Sequence, residues 1–127
     1  MTALLSIKPE FAEAIFDGTK KFEFRKIKFK KNVNKIKVYA TKPVGKIIGE
    51  FIVDNILEAS PEELWSKTSM DAGIDKERYL KYFNGKSTGF AIKIKSANKY
   101  KEAICPYLQY PNFVAPQSFM YINSPLY

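Results

Sequence analysis

The sequence predicts a small α+β fold, a mixed or largely antiparallel β-barrel with flanking helices. Three observations lead there. Of 127 residues, 46% are hydrophobic and 15% aromatic, which supplies a packed core. The segments run β-α-β-β-β-α-α-β-β. The connections between strands are mostly short, unlike those of a doubly wound sheet. The length predicts one domain over residues 1–127.

Taken in order, "ALLSI" (3–7) is a short apolar strand. "KPEFAEAIFDG" (8–18) is a helix: Pro9 suits the first helical position, Phe11 and Ile15 share a face, and Gly18 closes it. "KKFEFRKIKF" (20–29) alternates, with Phe22 and Phe24 inward and Lys21, Glu23 and Arg25 outward. After a turn at 30–34, "KIKVYAT" (35–41) puts Ile36, Val38 and Ala40 on one face. "KPVG" (42–45) turns into a long β-branched run (46–59) that Gly49 bends. Ser60 caps a helix that begins at Pro61, with Glu62 and Glu63 in its first turn. A further helix (75–85) ends at Asn84–Gly85, and a strand (87–100) follows. The tail (105–127) is rich in Pro and aromatics, with "SFMYI" (118–122) as a closing strand.

Composition removes several chemistries. There is no histidine, so neither Ser-His-Asp nor Cys-His catalysis is available. With a single cysteine, Cys105, a structural zinc site and an internal disulfide are both excluded. No metal or cofactor is implied. The first residues do not read as a signal peptide and no run spans a membrane, so a reducing cytoplasm is expected. "GKST" (85–88) lacks the first glycine of a P-loop and runs from helix to strand, the reverse of that motif. Trp65, Tyr79, Tyr82 and Phe83 fit core packing, with a base-stacking role at a cleft mouth as the alternative for one of them.

The net charge of +8 is concentrated. Between Glu23 and Glu50 there is no acidic residue. Arg25, Lys26, Lys28, Lys30, Lys31, Lys35, Lys37, Lys42 and Lys46 give that segment the chain's positive excess. Such a surface suits a polyanion held through its phosphates. Beside it, Lys20, Glu23 and Arg25 offer a point charge, an acceptor and a planar fork close to Gly18.

Residues 18–25, "GTKKFEFR", carry Gly-x-Lys-x-x-Glu-x-Arg at Gly18, Lys20, Glu23 and Arg25. This pattern resembles the signature of the ASCH domain, a small β-barrel superfamily related to PUA domains. "LLSIKPEFAEAIFDG", "VYATKPVGKIIGEF" and "PQSFMYI" resemble its opening strand and helix, second hairpin and closing segment. The resemblance implies a PUA-like barrel whose cleft is lined by the motif and binds RNA or a nucleotide. It makes Lys20, Glu23 and Arg25 ligand-binding, with Lys21 and Lys42 beside them; the charge pattern makes Lys26, Lys28, Lys30, Lys31, Lys35, Lys37 and Lys46 the surface for the nucleic-acid backbone. Some members of the family are amidohydrolases on N4-acetylcytidine, using Lys, Thr and Glu; others are credited with ribonuclease activity. Lys20 matches the amidohydrolase lysine, but Glu23 stands where the threonine would be, leaving Thr41 as the substitute hydroxyl. Arg25 and Lys21 would lower the Lys20 pKa and Glu23 would raise it. A binding module is therefore the expected function. The alternatives are the amidohydrolase, a metal-independent ribonuclease, and a protein-interaction domain using the tail.

Overall fold

In the computed structural model of the chain, residues 1–110 and 112–122 are described; Pro111 and residues 123–127 of the aromatic tail lie outside them. Six strands form one mixed sheet: β1 (Thr2–Ile7), β2 (Phe22–Arg25), β3 (Lys35–Ala40), β4 (Lys46–Ala59), β5 (Gly89–Ile104) and β6 (Phe119–Ile122), in the order β2-β5-β4-β3-β1-β6. β1 and β3 run parallel and every other neighbouring pair is antiparallel. The sheet curls into a half-barrel flanked by helices, the expected α+β class.

The helices start and stop on the expected signals. α1 (Pro9–Asp17) has Pro in its first turn and Gly18, at φ 89°, as its left-handed cap. α2 (Pro61–Thr68) is capped by Ser60, whose hydroxyl accepts from the Glu63 amide at 3.3 Å. α3 (Lys76–Tyr82) is capped by Asp75, which accepts from the Arg78 amide at 3.0 Å. A 3₁₀ turn (Ser69–Asp71) and a one-turn helix, α4 (Pro106–Gln109), were not legible in the sequence.

Three apolar clusters hold the chain. The first joins α1 (Ala12, Ile15) to Leu5, Ile36, Val38 and Phe51 of the sheet. The second sets Phe22 and Phe24 against Leu64, Tyr79 and Phe83, the core role expected for the helical aromatics. The third packs Leu4, Tyr39 and Ile47 with Phe113, Ala115 and Met120. Gly49 sits where β4 changes register with β5, opposite a second irregularity at Val38/Tyr39. A Cβ there would lie 2.6 Å from the Asn98 carbonyl oxygen and 2.5 Å from the Phe16 ring of α1, so the glycine also seats the helix.

β2 is shorter than its alternation predicts: residues 26–29 leave the sheet. Their attachment lies elsewhere. The Lys30 amide donates to the Tyr121 hydroxyl at 2.8 Å, and Phe29 meets the Phe119 ring edge-on at 4.8 Å. β5 is longer than expected, because Ile104 still pairs with Ile47.

Candidate functional site: a buried Lys–Glu–Arg network

The turn after α1 aims Lys20 inward. Gly18 reverses the chain, and Asp17 Oδ1 accepts from the Thr19 amide (2.9 Å) and hydroxyl (2.7 Å). The Lys20 amide then returns to the Ala14 carbonyl at 3.0 Å. The side chain passes under residues 71–73 and ends with Nζ donating to the Ala72 carbonyl at 2.7 Å. Nζ also lies 5.2 Å from the Phe11 ring centre and 4.9 Å from that of Phe24.

Strand alternation places Glu23 and Arg25 outward; the structure corrects this. Lys20, Glu23 and Arg25 are 2%, 6% and 8% exposed. Phe22 and Phe24 pack on the helical cluster, while Glu23 and Arg25 face the half-barrel's opposite edge, so both faces of β2 are covered. Arg25 Nη2 donates to Glu23 Oε2 at 2.7 Å and to the Ser6 carbonyl at 3.1 Å. Its Nη1 reaches the Ser118 carbonyl at 3.3 Å and Ser118 Oγ at 3.1 Å. One guanidinium thus fastens β2 to β1 and to the start of β6, across the two edges of the sheet. Among the described residues, its buried Nε has no partner.

Glu23 Oε1 lies 3.9 Å from Lys20 Nζ, so the shorter bond of the ammonium is to Ala72. Burial lowers the Lys20 pKa, Glu23 partly restores it, and Arg25 lowers it again. The Tyr82 hydroxyl, donating to the Phe24 carbonyl at 3.2 Å, has its pKa raised by burial.

The other expected site residues are dispersed. Lys21 is exposed, and its amide is held by the Asp71 carbonyl at 2.8 Å. Lys42 is exposed in the β3–β4 turn. Thr41, in the same turn, gives its amide to the Ile7 carbonyl at 3.0 Å, and its hydroxyl makes no hydrogen bond to Lys20, Glu23 or Arg25. The lysine surface is divided as well. Lys35 and Lys37 approach Glu50 at 3.3 and 3.8 Å, and the Tyr100 hydroxyl donates to the same carboxylate at 2.7 Å. The Tyr100 bond and the two lysines hold Glu50 below the usual carboxylate range. Lys28 pairs with Glu58 at 3.6 Å. Among the described residues, Lys26, Lys30, Lys31, Lys42 and Lys46 form no ion pair.

Sequence reasoning missed the partners: Ser6, Ala72, Gly73 and Ser118. Ser118, in the segment "PQSF", is half-buried with its Oγ against Arg25. It also missed the Tyr39–Tyr107 hydroxyl pair, 2.5 Å apart, where burial and Tyr107 push the Tyr39 pKa up to about 12. Among the described residues no group of three or more His, Cys, Asp or Glu could hold a metal, and no helix is long and apolar enough to cross a membrane.

A six-stranded half-barrel closed around the buried charges of a Gly-x-Lys-x-x-Glu-x-Arg segment defines a class of small α+β domains. The ASCH domain matches residues 5–107. The chain belongs to the ASCH domain family. An ASCH domain-containing ribonuclease from Zymomonas mobilis is 36% identical over 94 residues, 72% of this chain and 64% of that protein. Large ribosomal subunit protein uL22 from Ureaplasma parvum is 30% identical over 123 residues, 96% of this chain and 39% of that protein. The chain thus spans less than two thirds of the length of these curated relatives. The crystal structure of ASCH from Zymomonas mobilis aligns with a TM-score of 0.90 at 29% identity, covering 98% of this chain and 90% of that one.

Proposed function

We propose that the chain binds RNA, with phosphates on its unpaired lysines and a polar group of the ligand at the Arg25–Ser118 end of the buried network. The observation that carries this is the half-buried Ser118 hydroxyl resting on a guanidinium that Glu23 holds in place. A ligand arriving at Ser118 meets a preorganised positive charge with no rearrangement to undergo. The name of the Zymomonas relative, a ribonuclease, and the lysine surface support the same reading. Lys21 and Lys42 are exposed cations that would add to the surface rather than to the network. Fluorescence anisotropy with labelled single-stranded RNA tests it. Affinity should fall with salt at a slope of about −0.7 per phosphate contacted. No binding, or binding indifferent to salt, sinks the reading.

Ribonuclease activity is the second reading, favoured by that relative. Cleavage through the ribose 2′-hydroxyl builds negative charge on the phosphoryl oxygens, and Arg25 with Ser118 is the group placed to receive it. Ser118→Ala should slow cleavage of single-stranded RNA by about 10²-fold, measured with and without EDTA. An unchanged rate removes Ser118 from the chemistry. The amidohydrolase reading draws no such support: the Lys20 amine is committed to the Ala72 carbonyl and is shielded from a substrate.

A further inference from the structure

The nine residues 26–34 between β2 and β3 carry Lys26, Lys28, Lys30 and Lys31 and no carboxylate. A lysine-rich loop of this length would ordinarily be mobile, its charges costly to order around a ligand. Here it is fastened at several points. The Tyr121 hydroxyl accepts from the amides of Lys30 (2.8 Å) and Lys31 (3.3 Å). Phe29 packs against Phe119 and Tyr121, and Val33 is buried. The Asn34 amide donates to the Met1 carbonyl (3.1 Å), and its carbonyl accepts from the Val53 amide (2.9 Å). Two of the ammonium groups lie over rings: Lys26 is 4.5 Å from the Tyr82 ring centre and Lys31 is 5.1 Å from that of Tyr121.

The loop also borders the site. Ile27, Lys28 and Phe29 form one side of a small cleft whose other walls are Arg25, Ile56, Phe90 and Ile92. Arg25 is thus shared between this cleft and the buried network. Ile27 is 61% exposed and Ile56 37%, so apolar surface flanks the lysines. An unpaired base can cover such surface with its face; in a duplex that face is already stacked. The remaining lysines are less suited. Lys35 and Lys37 share Glu50, and Lys42 and Lys46 stand at the far end of β3.

We infer that the 26–34 loop is a prearranged phosphate track for single-stranded RNA, leading the strand to the cleft at Arg25, and that Tyr121 is the residue that holds the track in shape. The inference rests on the RNA-binding reading and says which lysines serve it. Lys30 and Lys31 act by charge, whereas Tyr121 acts on the loop backbone, and a binding experiment separates the two roles.

The test uses the full chain and a fluorescein-labelled oligouridylate, with affinity measured across a salt series. The Lys30→Ala/Lys31→Ala double variant should bind more weakly, with a salt slope shallower by about 1.4. Tyr121→Phe keeps the ring but loses both amide bonds. It should bind several-fold more weakly with the slope unchanged, because the number of phosphates contacted is the same. Lys42→Ala/Lys46→Ala, which removes the same charge from the far end of β3, should lose less affinity than the 30/31 variant. A duplex of the same length should bind less well than the single strand. Wild-type failure to bind any RNA would overturn the functional reading itself. If wild type binds and the 30/31 variant matches it, or the 42/46 variant takes the loss instead, the track assignment fails and RNA binding stands. A Tyr121→Phe variant indistinguishable from wild type overturns the role of that hydroxyl, and equal affinity for duplex overturns the preference for single strands.

Discussion

Lys20 holds a charge that the fold does not favour. Its ammonium has one strong acceptor, the Ala72 carbonyl, two ring faces, and a carboxylate 3.9 Å away. Burial outweighs the help from Glu23, so the pKa in the folded protein lies below the ordinary lysine value of 10.5. Between the folded pKa and 10.5 the unfolded chain binds more protons than the folded one, and stability from this group rises with pH across that window. The unfolding free energy of wild type relative to Lys20→Met should therefore increase as the pH is raised from neutral towards 10.5. Urea titrations at several pH values measure it; a gap that narrows with pH contradicts the assignment. Gly18, Lys20, Glu23 and Arg25 were all findable in the sequence through the family pattern. Their burial was not. In an alternating strand a charged residue beside a phenylalanine reads as solvent-facing, and only the far edge of the sheet covers Glu23 and Arg25.

At the level of elements, helix boundaries were the most legible feature, because Pro9, Gly18, Ser60 and Pro61 each act on their immediate neighbours. β2 was less so: nothing local says that the chain leaves the sheet after Arg25, since the attachment at Tyr121 is about ninety residues away. The 3₁₀ turn and the residues after it were missed for the same reason. They form a strap over Lys20, held by the Lys21 amide on Asp71 and the Lys20 ammonium on Ala72. Gly73 makes the strap possible. At φ 64°, a Cβ there would lie 2.6 Å from Lys20 Cγ. Among the described residues, Gly85, at φ 82°, has nothing within 4 Å of its own Cβ direction. Gly73→Ala should cost about 2–4 kcal/mol, overpacking added to left-handed strain, whereas Gly85→Ala should cost about 1 kcal/mol. Thermal and denaturant unfolding of the two variants give the comparison; equal costs would mean that the strap yields without effect.

At the scale of the whole molecule, the half-barrel is closed by side chains. β2 and β6 are the two ends of the sheet order, and Arg25 joins them through Ser118 while also holding Ser6 of β1. Arg25→Met should loosen that closure first. Hydrogen exchange should quicken at β2 and β6 amides and change little at the β3–β4 pairing, whose ladder does not depend on the guanidinium. Uniform acceleration, or none, would show that Arg25 does not hold the edges. The order of elements and the mixed α+β class were legible because period and turn chemistry are local. The pairing of the first strand with the third and the sixth was not spelled out by any local signal. The charge count overstated the surface, since Glu50 and Glu58 lie outside the basic segment in sequence but beside it in space.

The strap has a consequence for covalent regulation. Of the nineteen lysines, Lys20 is screened by the Ala72 carbonyl, two rings and the glycine packed on its stem. An acyl donor cannot reach its buried nitrogen while the fold is intact. The exposed Lys30 and Lys31 have no such screen. Acetylation would erase the charge of the outer lysines one by one and leave the central charge untouched.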